Sequence, residues 1–147
     1  MEKSRKTEIE RSFHNSEIMK LYRAHGKVTS KGSFEISVVK QPFMMRPAGM
    51  FNGSTIASLI DVSSGYAAAS ANDTNCYLTT VDLKVNYLSP AIGDKLIAKA
   101  NVVKNGKRII VARSDVFVIS NDGELHVATS LVTLMQLQNK NNETQID

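Results

Sequence analysis

The chain has little cysteine, no tryptophan and no long apolar run. Its one cysteine, Cys76, excludes an internal disulfide framework and a cysteine-based metal cluster. We interpret Cys76 as a buried thiol at the start of a strand, with a nucleophile as the alternative. No apolar run reaches the roughly 18 residues that span a membrane, and no apolar core follows the charged residues 1–6 as in a secretory signal. The sequence therefore predicts a cytoplasmic protein without membrane contact.

Aromatic residues are also scarce, at 6% of the chain, and this bears on the kind of partner. The net charge is +4, but the lysines and arginines are scattered along the sequence. Nucleic-acid binding usually shows a basic stripe with a recognition element or stacking aromatics, and neither is present. The charge fits a small polyanionic ligand or ordinary solvated lysines, and no nucleic-acid partner is predicted.

The hydrophobic content of 42% supports one domain, and the apolar pattern predicts its order of elements. Residues 1–14 are predicted to be a flexible N-terminal tail, 15–136 the folded domain and 137–147 a flexible C-terminal tail. A short helix precedes a strand pair over residues 27–31 and 33–40. A long helix follows, and then four antiparallel strands joined by tight turns. The predicted fold class is α+β, with one antiparallel sheet around one main helix.

The strand over residues 79–89 has the clearest alternation in the chain. Its apolar side chains, from Val81 to Tyr87, are predicted to face one side of the sheet. Thr80 and Lys84 are predicted to face the other. Pro90 ends this strand.

The long helix over residues 54–71 is the organising element of the sequence. It consists mainly of alanine, serine and glycine, so other backbone can approach it closely, and it is predicted to be buried. Asp61 lies in its middle as the only charged residue of the segment. Because a buried carboxylate is costly unless it is paired or hydrogen-bonded, Asp61 is the first candidate for chemistry. The alternative is an exposed carboxylate without a function.

Three segments resemble one family. The first is Gly49-x-x-Asn52-Gly53-Ser54 followed seven residues later by Asp61. The second is the strand over residues 79–91, and the third is the hairpin over residues 105–108. Together they are similar to the PaaI-like hotdog-fold acyl-CoA thioesterases, whose pattern is G-x-x-H-G-G followed seven residues later by Asp or Glu. The similarity extends over roughly residues 15–136.

The resemblance implies a hotdog fold, with the sheet wrapped around the central helix, and a homodimer or a dimer of dimers with active sites between subunits. It implies an enzyme that hydrolyses a small-to-medium acyl- or aroyl-CoA. The CoA thioester would be the substrate, and the reaction would need no metal and no cofactor. Asp61 would be the nucleophile or general base, and the backbone N–H of Gly53 would polarise the thioester carbonyl. Thr80 of the facing protomer would hold the attacking water. Asp61 lies about 12 Å along the helix axis from Gly53, at about 1.5 Å per residue, which favours a site shared by two subunits.

Two positions depart from the family pattern: Asn52 replaces its histidine and Ser54 its second glycine. Asn52 can hydrogen-bond a carbonyl or orient a thioester, but it cannot shuttle a proton near neutral pH. Ser54 could cap the helix, and it is also predicted to be one of the substrate-binding residues. The alternative function is therefore a non-catalytic acyl-CoA binding module on the same fold. A hydratase would need a histidine paired with an acidic residue in the site, and the sequence does not place His126 in such a pair.

The remaining predicted site residues would bind substrate. Lys107 and Arg108, with Lys84 or Arg113, are candidates for the CoA phosphates. Met50 and the methionines before it would line the acyl pocket, because methionine side chains adapt to varied apolar groups.

Overall fold

The computed structural model describes residues 1–137, which form three α-helices, one 3₁₀ turn and a six-stranded sheet. The helices are α1 (Lys3–Asn15), α2 (Glu17–Leu21) and α3 (Gly53–Ala71), and the 3₁₀ turn is Pro42–Met44. The strands are β1 (His25–Ser30), β2 (Ser33–Val39), β3 (Tyr77–Tyr87), β4 (Lys95–Asn105), β5 (Ile109–Ser120) and β6 (Gly123–Leu137). All strand pairs are antiparallel. The predicted α+β arrangement, one long helix against one antiparallel sheet, is confirmed.

The core lies between α3 and the sheet. Leu59 and Ile60 have no exposed surface, and burying an aliphatic side chain of this size stabilises the fold by about 1.5–3 kcal/mol. On the next turns Ala67 and Ala68 are equally buried, and their small side chains let the helix lie close to the strands. The predicted burial of the helix is confirmed for this face.

The sheet order is β1-β2-β4-β5-β6-β3, so β3 pairs with β6, the last strand along the chain, and forms one edge of the sheet. The sequence predicted four successive strands joined by tight turns. This holds for β4, β5 and β6 but is wrong for the step from β3 to β4. The connecting segment instead runs beside the loop before α3, where the Phe51 N–H donates to the Ala91 carbonyl at 2.9 Å. The connection therefore contacts the loop that leads into the central helix.

The N-terminal segment corrects a prediction. Residues 1–14 were predicted to be a flexible tail, but Lys3–Asn15 is helix α1, with Ile9 and Phe13 buried. The Phe13 ring lies 5.2 Å from that of Phe34 and 5.4 Å from that of Tyr66. Most charged residues of this segment lie on the exposed side of an amphipathic helix, whereas Ile9 and Phe13 contact the core and the Arg5 side chain is mostly buried.

The C-terminal prediction is partly corrected. Leu137, the first residue of the predicted tail, belongs to β6 and pairs with Tyr77 of β3. The rest of the predicted C-terminal tail, 138–147, lies outside the described residues. Within residues 1–137 no helix is long and apolar enough to cross a membrane.

Candidate active site

Asp61, half-buried at the middle of α3, is joined to β3 by one short hydrogen bond. The Thr80 hydroxyl donates to Asp61 Oδ1 at 2.6 Å, a length typical of a hydroxyl bound to a carboxylate. Asp61 Oδ2 has no protein partner in the described part of the chain. Because the one proton of the Thr80 hydroxyl points at Asp61, its oxygen can still accept a hydrogen bond from a water molecule. The pair leaves one free carboxylate oxygen beside one free hydroxyl lone pair.

This pair corrects the expected origin of Thr80. The resemblance assigned Thr80 to the facing protomer, but both side chains belong to one chain. The sequence also predicted that Thr80 faces away from Leu83. The ladder between β3 and β6 shifts register between Thr80 and Asp82, and this bulge turns both Thr80 and Leu83 toward α3. The alternation expected for a regular strand is therefore wrong at this point.

The N-terminus of α3 is capped by Asn52 and not by Ser54. The side-chain oxygen of Asn52, Oδ1, accepts three hydrogen bonds. They come from the Thr55 N–H at 2.8 Å, the Thr55 hydroxyl at 2.6 Å and the Ser54 hydroxyl at 2.9 Å. The Asn52 amide nitrogen donates to the Phe43 carbonyl at 3.1 Å. The oxygen of Asn52 is thus used by the helix cap, and its amide ties the helix to the preceding loop.

Gly53 is the first residue of α3, and its carbonyl accepts from the Tyr87 hydroxyl at 2.8 Å. A Cβ at position 53 would lie 3.3 Å from the Tyr87 ring and hydroxyl, tighter than ordinary contact, so glycine permits this approach. Among residues 1–137, no acceptor is found for the N–H groups of Gly53 and Ser54. Free N–H groups and the positive end of the helix dipole make this turn suited to a developing negative charge.

A groove of about 460 Å³ opens at this helix N-terminus. Its wall is mainly apolar and consists of Arg46, Met50, Phe51, Gly53, Ile56 and the segment Tyr87, Leu88, Ser89, Pro90 and Ala91. The predicted pocket residue Met50 is among them, whereas Met44 is fully buried in the core. Asp61 does not line the groove. One chain therefore does not bring Asp61 and Gly53 together.

The predicted phosphate contacts lie away from this groove. Lys84 and Arg113 flank Leu131 on the outer face of the sheet, opposite α3, where they line a small groove of about 170 Å³. Lys107 and Arg108 are exposed in the turn between β4 and β5. The adjoining Asn105 amide donates to the Ala71 carbonyl at 3.5 Å, which places this turn at the C-terminal end of α3.

Three contacts were missed by the sequence reasoning. Arg46 lines the groove. The turn residues Pro47 and Gly49 were the local sequence signal for the hairpin that contains Arg46. The hydroxyl of Tyr87 contacts Gly53, although the strand pattern indicated only a packed ring. His126 has an acidic partner after all, since its Nε2 lies 3.0 Å from Asp115 Oδ1. This pair is on the outer sheet face beside Phe117, away from α3.

No group of three or more His, Cys, Asp or Glu side chains is arranged to hold a metal ion in the part of the chain described. Asp61, Thr80 and the N–H groups of the helix N-terminus are the groups of the site that could take part in chemistry.

Comparison with known proteins shows the family of the chain. The family model described as the thioesterase superfamily matches residues 48–123, just over half of the chain and including Asn52, Gly53, Asp61 and Thr80. The chain belongs to the thioesterase superfamily. The resemblance inferred from the glycine-rich loop and the downstream strand is confirmed, and the chain is a thioester hydrolase by family.

Relatives of this thioesterase support the same assignment. The medium/long-chain acyl-CoA thioesterase YigI of Salmonella typhimurium is 25% identical over 120 residues, covering 71% of this chain and 76% of that protein. A thioesterase family protein from Silicibacter pomeroyi has a crystal structure that is 27% identical, covers 90% of this chain and 98% of its own, and superimposes with a TM-score of 0.86.

The predicted hotdog fold is confirmed by the same comparison. The E. coli PaaI protein, from the phenylacetic acid degradation operon, matches with a TM-score of 0.79 at 16% identity. The match covers 92% of this chain and 95% of that one. At such low identity the likeness concerns the fold alone.

Proposed function

We propose that this thioesterase hydrolyses the thioester of a small-to-medium acyl- or aroyl-CoA, releasing the free acid and CoA. The observation that carries the proposal is the 2.6 Å hydrogen bond from Thr80 to Asp61 in the middle of α3. The bond fixes one oxygen of the carboxylate and leaves the other free. The relative YigI is named a medium/long-chain acyl-CoA thioesterase, which supports CoA thioesters as the substrate class.

In this proposal Asp61 acts as the general base. Its free oxygen takes a proton from a water molecule held by the Thr80 hydroxyl, and the water oxygen bonds to the thioester carbon. The carbonyl electron pair moves to the oxygen, then returns as the carbon–sulfur bond breaks and the CoA thiolate leaves. Direct attack by Asp61 through an anhydride is the alternative. One turnover in ¹⁸O-labelled water identifies direct attack when water opens the anhydride at the Asp61 carboxyl carbon, because the acid then leaves with an unlabelled oxygen from Asp61 and the label enters Asp61.

The backbone N–H of Gly53 would stabilise the charge that develops on the carbonyl oxygen. It points from the helix N-terminus without an acceptor among residues 1–137, and it lies beside the mainly apolar groove. Removing one such donor elsewhere costs about 2.7–4 kcal/mol of transition-state stabilisation. Met50 and its apolar neighbours would hold the acyl group.

A second copy of the chain would complete the site. Gly53 and Asp61 are about 12 Å apart along one helix axis, too far to contact one carbonyl. Strand β3 forms a sheet edge with Tyr77 and Val81 exposed at 63% and 50%, and an open apolar edge favours pairing with another strand. We therefore propose a homodimer through β3 in which Asp61 of one copy faces Gly53 of the other, with a dimer of dimers as the further form.

Lys107 and Arg108 are proposed as contacts for the CoA phosphates. Both are exposed and cationic, and they lie at the opposite end of α3 from the chain's own Gly53. A site shared with a second copy would allow them to approach the nucleotide part of the substrate. Lys84 is left out of this proposal because it lies on the outer face of the sheet.

Thiol release from a panel of acyl- and aroyl-CoAs tests the proposal. We expect Asp61→Asn to lower kcat at least about 100-fold, the scale of one general-base contribution. Asp82→Asn is the matched control, because it removes an exposed carboxylate from the same strand that holds Thr80. Full activity of Asp61→Asn, or an equal loss in Asp82→Asn, would remove Asp61 from the mechanism.

The second candidate function is a non-catalytic acyl-CoA binding module. Asn52 favours it, because its carbonyl oxygen is used by the helix cap and supplies no proton for catalysis. CoA esters that bind to the wild-type protein without thiol release would support this candidate. Turnover that collapses in Asp61→Asn would exclude it.

A further inference from the structure

The second edge of the sheet, strand β1, is covered by helix α1. An uncovered edge strand presents N–H and C=O groups that can pair with a strand of another chain. In β1 the Val28 N–H donates to Glu10 Oε1 at 2.9 Å, and the Gly26 N–H donates to His14 Nε2 at 3.4 Å. Gly26 and Val28 are buried although they belong to an edge strand. Two side chains of α1 therefore occupy the positions that the carbonyl groups of a further strand would take.

The spacing of the two helix residues matches the spacing of the two strand residues. Glu10 and His14 are four residues apart, which is about 6 Å along a helix axis. Gly26 and Val28 are two residues apart, which is about 6.6 Å along a strand. The later helix residue binds the earlier strand residue, so α1 runs antiparallel to β1. One face of α1 thus meets successive outward N–H groups of the strand.

Packing holds α1 against this edge. Phe13 has no exposed surface, and a Cβ at Gly26 would lie 2.6 Å from its ring, so glycine lets the helix approach the strand. Ile9, one turn earlier, is also buried. Near the start of the helix the Arg5 guanidinium donates to the Ala69 carbonyl at 3.3 Å. The two side-chain acceptors are therefore presented by an anchored helix.

The contact made by His14 requires a neutral ring. His14 Nδ1 lies 2.7 Å from the Glu10 carbonyl oxygen, which can only accept, so Nδ1 carries the hydrogen and Nε2 is the acceptor for Gly26. A protonated imidazole has no acceptor. Histidine is the side chain that ordinarily changes its charge between about pH 5 and pH 8. The contact is therefore present at the upper end of this range and lost at the lower end.

The groups around the His14 ring do not offset its protonation. Among residues 1–137, no carboxylate lies within ion-pair distance of His14. The His25 ring of β1 lies 5.4 Å away, and Arg11 is one turn earlier on α1. Other charged side chains of these elements and of α2 pair with acidic or basic partners: Lys6 with Glu10, Lys20 with Glu17, and Lys27 with Glu35 of β2.

We propose that α1 is a histidine-gated cover of the β1 edge, and that the partner it excludes is strand β1 of a second copy. The β1 edges of two copies are identical and can pair antiparallel across a two-fold axis. If copies join through β3, β1 lies at both outer edges of the joined sheet, and its pairing would extend the sheet without closure. Protonation of His14 would remove one of the two contacts and admit this pairing. The inference is independent of the proposed hydrolysis.

Amide hydrogen exchange of the full chain, followed by NMR and divided by the rate of an unstructured amide, tests the gate. Between about pH 7.5 and about pH 5.5 we expect the protection of the Gly26 N–H to fall about 2–13-fold, the effect of losing one hydrogen bond. The Val28 N–H should keep its protection, because glutamate stays ionised over this range. His14→Gln offers an acceptor at either pH and should abolish the change at Gly26.

Two exchange results would overturn the gate. One is equal protection of Gly26 at both pH values in the wild type, and the other is the same fall in His14→Gln. The wild-type series needs no substitution, so it decides the question even if a variant fails to fold.

Light scattering at rising protein concentration tests the partner. Glu10→Leu combined with His14→Leu removes both acceptors and should form larger species than the wild type at about pH 7.5, whereas the wild type should do so only near pH 5.5. Glu10→Gln combined with His14→Gln keeps both acceptors and should match the wild-type size at both pH values. Ser4→Leu, at an exposed position of α1, controls for the added leucine.

The proposed partner fails if the double leucine variant loses protection at Gly26 and Val28 but keeps the wild-type size. It also fails if Ser4→Leu forms the same larger species, since added apolar surface would then explain the association. Melting temperatures of all variants show which of them are folded, and the wild-type pH series supplies the decision where the double leucine variant is not.

Discussion

The Tyr87 hydroxyl donates a hydrogen bond to the Gly53 carbonyl at 2.8 Å and so joins the edge strand β3 to the first turn of α3. The bond fixes the orientation of the peptide that follows Gly53 in the helix. It also brings the Tyr87 ring into the wall of the groove. The position of the helix N-terminus relative to the groove therefore depends on this contact.

Tyr87→Phe tests that dependence. The substitution removes the hydroxyl but keeps the ring, so we expect a loss of about 0.5–1.5 kcal/mol in the free energy of unfolding. The rate of thioester hydrolysis should fall severalfold because the N–H groups at the helix start are less well fixed. Urea unfolding and thiol release measure the two effects, and Tyr22→Phe, which removes a hydroxyl outside β3, is the control. Unchanged activity would mean that the cap alone fixes the helix start.

Thr80 is expected to affect the rate of thioester hydrolysis, because its hydroxyl oxygen can accept a hydrogen bond from the attacking water. Thr80→Ala should lower kcat about tenfold, whereas Thr80→Ser, which retains the hydroxyl, should stay near the wild-type rate. Thr79→Ala is the neighbouring control, since Thr79 is exposed and has no hydrogen bond to Asp61. If Thr80→Ser loses as much activity as Thr80→Ala, the hydroxyl does not position the water.

Position 52 is expected to act on stability. Asn52→His would restore the histidine of the family pattern and could raise turnover by supplying a side chain that shuttles a proton near neutral pH. The structure adds that histidine lacks the carbonyl oxygen that accepts three hydrogen bonds at the cap. We expect Asn52→Ala to cost about 1 kcal/mol of unfolding free energy and Asn52→Asp to retain most of it. Thermal melts of the three variants measure this, and an Asn52→Ala protein as stable as the wild type would contradict the capping role.

Cys76 is expected to react slowly with alkylating agents. Burial disfavours the thiolate and raises the pKa of Cys76 above that of an exposed thiol. Because only the thiolate reacts, the rate with iodoacetamide at pH 7 should be lower than in the urea-unfolded chain, and it should rise as the pH passes the ordinary thiol range. Equal rates in folded and unfolded protein would show that the thiol is accessible and ionises normally. Hydrolysis by Cys76→Ser should match the wild type, which would exclude the nucleophile alternative.

Local patterns in the sequence were enough for the principal elements. The small-residue segment predicted a helix from residue 54, and α3 begins at Gly53. The turns at residues 31–32, 105–106 and 121–123 each join two adjacent antiparallel strands. The spacing of apolar residues and the residue types of turns depend on neighbours in the chain. A single sequence therefore contains enough information to place these helices, strands and turns. The glycine-rich motif with Asp61 identified the family for the same reason.

Contacts between distant segments decided the rest. The bulge at Val81 turns Thr80 toward α3, and it arises from the register with β6, about 50 residues later in the chain. Helix α1 is ordered against the core through Phe13, although its composition alone predicted a tail. The sequence by itself determined the elements, the family and the carboxylate. Only the tertiary structure decided which donors face that carboxylate and the groove, because hydrogen bonds between separate strands and helices fix the side to which each residue points.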